Sequence, residues 1–130
     1  MIGLDTNIVV RYLVHDDAAQ TAKAVKLMGS LSQELPGFLS LTVIAELVWV
    51  LKISYRFKKD ELEQLLETLL QSKELVIERA EVVWQALRQF RAGSADFADC
   101  LIERSGHAAE CQYTVTFDQK AVSAGMKLLR

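Results

Sequence analysis

Four short apolar runs lie far apart in this chain, at Met1–Leu4, Phe38–Leu41, Leu75–Ile77 and Tyr113–Phe117; the first three are each followed by a stretch with helical period and the last by a tail. Runs this short are strand-sized, and β-branched and aromatic residues fill the last of them. Strands separated by whole helices pair in parallel, because antiparallel neighbours need only a hairpin whereas parallel ones need a crossover. The periodicity predicts helices over 7–14, 18–35, 42–55, 59–71, 80–92 and 96–109, with Pro36-Gly37 closing the second and Gly93-Ser94 separating the last two. The expectation is an α/β sandwich: a mostly parallel sheet flanked by helices, with ligands gathered at the carboxyl ends of the strands.

Of the 130 residues, 51% are apolar, which is enough for one sizeable core and excludes disorder. One domain over 1–130 is expected. No apolar run approaches the roughly 18 residues of a membrane span, and Met1 leads into Ile2-Gly3-Leu4-Asp5 without a signal-peptide pattern. Two cysteines, Cys100 and Cys111, suit a reducing cytoplasm and read as small buried hydrophobes. The formal net charge of −2 argues against a generally basic polyanion binder.

The acids are placed unusually. Asp5 ends the first apolar run and Asp118 the last, and both also suit the capping of the turns that follow. Asp96 and Asp99 stand three apart at the start of a helix, hence on one face, where acids also complement the helix dipole. On a helical projection from Val43, Glu46 falls at about 300°, between Val50 at about 340° and Ile53 at about 280°, with Lys52 away at about 180°. A carboxylate in so apolar a sector is expected to be paired, protonated or metal-bound, unless it reaches water from the first turn. Carboxylates converging on one edge repel unless a cation lies among them, and hard oxygen donors suit Mg²⁺ or Mn²⁺. Phosphoryl or phosphodiester transfer is the chemistry that needs such a set.

Other chemistries lack their residues. His15, His107, Cys100 and Cys111 have no zinc-ligand spacing. There is no Gly-rich phosphate loop and no G-x-S-x-G elbow. An aspartyl-nucleophile phosphohydrolase needs a second Asp two residues after the first, where this chain has Asn7. Trp49 and Trp84 lie on apolar helix faces and read as core or interface. The Arg56-Phe57-Lys58-Lys59 run reads as a solvated helix junction able to meet a phosphate backbone.

Taken in order, Ile2-Gly3-Leu4-Asp5-Thr6-Asn7, Ser40-Leu41-Thr42-Val43-Ile44-Ala45-Glu46-Leu47, Asp96-Phe97-Ala98-Asp99-Cys100-Leu101-Ile102 and Thr114-Val115-Thr116-Phe117-Asp118 resemble the PIN-domain nucleases. More narrowly, the chain is similar to the VapC toxins of bacterial type II toxin–antitoxin pairs. The resemblance implies a PIN-like three-layer sandwich and a Mg²⁺- or Mn²⁺-dependent endoribonuclease. It also implies a homodimer, held inactive by a small VapB-type antitoxin. By the same resemblance Asp5, Glu46, Asp99 and Asp118 are the catalytic metal-binding acids, and Asp96 is the extra acid that some members carry. Thr6, Asn7 and Thr116 are then the polar neighbours that orient ligands or water. One departure is Glu103, where Ala is usual, which adds an acid at or near the rim of the site. The rival reading is a PIN-like non-catalytic protein- or RNA-binding module. If the five acids Asp5, Glu46, Asp96, Asp99 and Asp118 form one metal site, fifteen basic residues face twelve acidic ones elsewhere, a surplus of +3. Lys52, Arg56, Lys58, Lys59, Arg88, Arg91 and Arg104 are then available to a phosphate backbone.

Overall fold

A computed structural model describes residues 1–130. Strand β1 (Ile2–Gly3) leads into helix α1 (Thr6–Leu13), then α2 (Ala18–Gly29), β2 (Gly37–Leu39), α3 (Leu41–Ser54), α4 (Lys59–Gln71), β3 (Leu75–Ile77), α5 (Ala80–Ala92) and α6 (Phe97–Ala108). The chain ends with β4 (Val115–Thr116), a 3-10 helix over Gln119–Ala124 and β5 (Lys127–Leu128). Every strand pairing is parallel. The order β1-β2-β3 has Ile2 opposite Gly37 and Gly37 opposite Leu75, while β4 and β5 form a separate two-stranded ribbon with Val115 opposite Lys127. The α/β three-layer architecture expected from the alternation is therefore present, with its strands divided between two ribbons.

The differences from expectation lie at element ends. The second helix stops at Gly29 rather than at residue 35, and Leu31 turns back into the core while Ser32 closes a turn on Leu35 (3.1 Å, Leu35 N–H to Ser32 Oγ). Ser40 and Leu41 leave the predicted second strand because Ser40 caps α3, its Oγ accepting the Val43 N–H at 3.1 Å. Only Val115 and Thr116 of the expected 113–117 strand are ladder-paired. The Lys127–Leu128 strand had no apolar run to announce it.

The core is continuous. Ile44, Leu47, Val48 and Leu51 of α3 meet Leu62, Leu66 and Leu69 of α4, Val82, Val83, Leu87 and Phe90 of α5, and Phe97, Cys100 and Leu101 of α6. Phe90 and Phe97 pack edge to face, centroids 5.8 Å apart. Gly37 lies where a Cβ would stand 2.8 Å from Leu4 Cδ1 and 2.9 Å from Leu31 Cδ1, so a larger residue in the middle strand would have to displace the ends of these leucine side chains. No helix is long and apolar enough to cross a membrane.

Candidate active site

Strands β1, β3 and β4 each deliver an acid at or just beyond the carboxyl end. Beyond β1, Asp5 caps α1, its Oδ1 accepting the Thr6 N–H at 2.8 Å. Beyond β3, Glu78 accepts the Leu41 N–H at 2.8 Å. Beyond β4, Asp118 Oδ1 accepts the Lys120 N–H at 2.9 Å, while the Asp118 N–H donates to Thr116 Oγ1 at 3.0 Å. The capping roles that Asp5 and Asp118 suited in the sequence are thus real, and each cap bond uses one of two carboxylate oxygens.

The α6 acids reach the same region through a chain reversal. The Cys111 N–H donates to the Gly106 carbonyl at 3.0 Å, and a Cβ on Gly106 would lie 2.6 Å from Thr114 Oγ1, so the chain folds closely back on the helix. From that contact Asp99 lies about 10 Å back along the helix and Asp118 about 13 Å forward along extended chain, which brings both to one end. Asp99 is half-buried at the start of α6. Burial raises its pKa above the ordinary carboxylate value, the charges of Asp96 and Asp118 raise it further, and Lys120 and Lys52 oppose them. Asp96 makes no capping bond; its Oδ1 accepts from Lys52 Nζ at 2.8 Å instead, tying α3 to α6.

The structure therefore brings Asp96, Asp99 and Asp118 within electrostatic reach of one another, with Lys52 and Lys120 among them. Asp5 and Glu46 act on Asp99 less than these four charged neighbours do. Glu46 requires a correction. It is solvent-exposed, because the apolar sector it shares with Trp49 (59% exposed) and Ile53 (54%) is the outer face of α3, and the core is met by Ile44, Leu47, Val48 and Leu51. Trp49 is accordingly not a core residue. Asn7 is exposed and Thr116 half-buried, whereas Thr6 is buried with its Oγ1 unpartnered. Glu103, the departure from the family pattern, is held by Arg104 (2.6 and 3.1 Å) and Gln89 (2.9 Å), and its bond to Arg104 foremost lowers its pKa. It ties α5 to α6. Cys100 is buried, and burial first and Asp99 second push its thiol up to about 11; Cys111, expected buried, is exposed. Sequence reasoning missed Lys120, whose spacing from Asp118 carries no signal, and the use of Lys52 as a partner for Asp96.

The donor set is carboxylate and hydroxyl oxygen, the kind Mg²⁺ and Mn²⁺ accept. As placed, no three Asp, Glu, His or Cys side chains stand close enough to hold one ion jointly. Mg²⁺ needs only one or two carboxylates and keeps several waters, so a wide cluster suits it. The unpartnered Thr6 hydroxyl beside Asp5 fits the same reading, because a buried orphan costs about 1–3 kcal/mol unless water or a ligand's shell satisfies it.

The family model of the PIN domain matches residues 2–125. The chain belongs to the PIN-domain family, whose members are generally nucleases that use divalent metals. Among solved structures, FitAcB from Neisseria gonorrhoeae is similar over 100% of this chain and 97% of its own, at 20% identity and a TM-score of 0.39. No curated protein matches the sequence.

Proposed function

We propose that residues 1–130 form a single PIN domain that hydrolyses RNA phosphodiester bonds in a Mg²⁺- or Mn²⁺-dependent endonucleolytic reaction, as the VapC toxin of a VapBC pair. The observation that carries this reading is the placement of Asp96 and Asp118 near the half-buried Asp99, whose pKa is raised first by burial and then by those two charges. Asp5, Asp99 and Asp118, with Asp96 alongside and Glu46 as an exposed carboxylate on α3, would hold the metal. When bound, a divalent cation supplies Lewis acidity, lowering the pKa of an attacking water and neutralising phosphate charge.

The chain's own groups do the positioning. Thr116 Oγ1 fixes the backbone of Asp118, and Thr6 offers a buried hydroxyl next to Asp5. Asn7 extends the polar edge into solvent. Lys120 and Lys52 limit the repulsion at Asp99, and Lys52 anchors Asp96. No side chain has to act as the nucleophile. The partners that follow from this reading are an RNA substrate, a small VapB-type antitoxin and a second copy of the chain, all cytoplasmic.

One observation favours a non-catalytic module instead: Lys52 already neutralises Asp96. Purified protein incubated with mixed RNA, with and without Mg²⁺, beside Asp5→Asn, separates the two. The nuclease reading expects Mg²⁺-dependent cleavage that the variant lacks. Absence of cleavage, or equal cleavage by Asp5→Asn, contradicts it. The toxin role expects growth arrest on expression, relieved by a small protein from a neighbouring gene.

A further inference from the structure

Beside the acidic cluster, and sharing Asp96 with it, is an open pocket of about 310 Å³, near the lower end of the roughly 300–1,000 Å³ of small-ligand sites. Its floor is apolar, formed by Val48, Phe57, Leu62, Phe90 and Phe97. Trp49 stands on the rim with 59% of its surface exposed, a large aromatic that nothing in the fold covers. The other charged rim groups are Lys52, paired with Asp96 at 2.8 Å, and Lys59, whose Nζ donates to the Gly93 carbonyl at 2.6 Å and lies 5.1 Å from the Phe90 ring centroid. Phe57 enters the pocket between the exposed Arg56 and Lys58, after Arg56 ends α3 in a left-handed conformation (φ 56°) and the Phe57 N–H bonds back to the Leu51 carbonyl. The neighbouring acids are engaged by the start of α4: Asp60 accepts the Glu61 N–H and Glu61 the Lys58 N–H.

An apolar slot with an exposed aromatic lip and basic side chains beside it is a combination that binds single-stranded nucleic acid, where bases stack on aromatics while phosphates meet basic groups. A second copy docked through this face suits it less. A two-fold contact would bring two copies of the exposed basic run Arg56, Lys58 and Lys59 into one interface, with only Asp60, Glu61 and the Lys52-bonded Asp96 as acids beside them. We propose that the pocket seats an unpaired nucleobase of the RNA, stacked on Trp49 and Phe57, with Lys59, Arg56 and Lys58 along the adjoining phosphates, so that it sets which nucleotide lies next to the cleaved bond. This proposal rests on the RNA-nuclease reading.

The test uses Trp84→Phe, which leaves Trp49 as the single indole, combined with Asp99→Asn so that RNA survives the measurement. A short unstructured RNA is expected to quench Trp49 fluorescence, and an abasic ribose-phosphate oligomer of equal length is not. Trp49→Ala is expected to raise the Kd for RNA about ten-fold, the scale of one lost base–aromatic stack, while Trp49→Phe stays within about three-fold. Unchanged affinity in Trp49→Ala without quenching, while the wild-type chain still cleaves RNA, overturns the pocket and leaves the nuclease standing. Unchanged affinity together with conversion of a dimer to a monomer in Trp49→Ala assigns the face to a second copy and also overturns it. RNA neither bound nor cut by the wild-type chain removes the nuclease reading and the pocket with it.

Discussion

Asp99 and Glu103 lie one helical turn apart on α6 and have opposite electrostatics. Asp99 has burial and two neighbouring acids against it, so its folded pKa is raised above 3.8. Ionised, it destabilises the fold at pH 7; below pH 3.8 it is protonated in both states and the penalty vanishes. Asp99→Asn is therefore expected to raise Tm at pH 7 without metal, by less than about 1 kcal/mol in stability, with the gain gone near pH 3. Glu103 is bonded by Arg104 and Gln89, so its folded pKa is lowered below 4.5. Its contribution is present above pH 4.5 and lost as pH falls through the folded pKa, so Glu103→Gln should cost about 1 kcal/mol at pH 7 and little in acid. Thermal melts of both variants across pH 3–7 check the pair; two melts shifting in the same direction at pH 7 would refute the assignment. The residue pattern alone placed both acids on α6 without giving their electrostatics, because what separates them is the burial of Asp99 beside Asp96 and Asp118 and the bonds of Glu103 to Arg104 and Gln89.

Among the elements, helices α4 and α5 were legible to the residue, since a leucine stripe in one and an alternation of Val, Leu and Phe with charge in the other need no tertiary information. Helix α3 was legible in extent and misleading in orientation. With apolar residues on most of its circumference, nothing local shows that Trp49 and Ile53 face outward and leave Glu46 in solvent, because the core selects Ile44, Leu47, Val48 and Leu51 only once α4 and α6 are in place. The position of Asp5 and Asp118 just beyond strands was legible in the sequence, because a strand's end fixes where its next residue goes. The middle strand carries its own test. Gly37→Ala pushes a methyl group against Leu4, Leu31 and Leu75 and is expected to cost about 1–3 kcal/mol, read as a lower denaturant midpoint at unchanged slope. Wild-type stability in that variant would mean the strands pack more loosely than described.

Over the whole molecule, the net charge of −2 conceals an uneven distribution. Two of the cations expected to meet phosphate are already used, Arg91 by Glu63 and Glu67 and Arg104 by Glu103, and Lys52 is bonded to Asp96. Of the others, Arg88 stands exposed on α5 without an ion-pair partner, while Arg56, Lys58 and Lys59 gather at the α3–α4 junction beside the pocket that shares Asp96. Whether the Asp99 cluster performs metal-dependent RNA hydrolysis is decided by the rate of RNA cleavage against Mg²⁺ concentration for the wild-type chain, Asp99→Asn and Glu103→Gln. Wild type and Glu103→Gln should show the same saturable Mg²⁺ dependence, and Asp99→Asn should lose at least about a hundred-fold, as expected for removal of a group acting at the reacting charge. Cleavage independent of Mg²⁺, or an Asp99→Asn protein that melts normally and cuts at the wild-type rate, would contradict it.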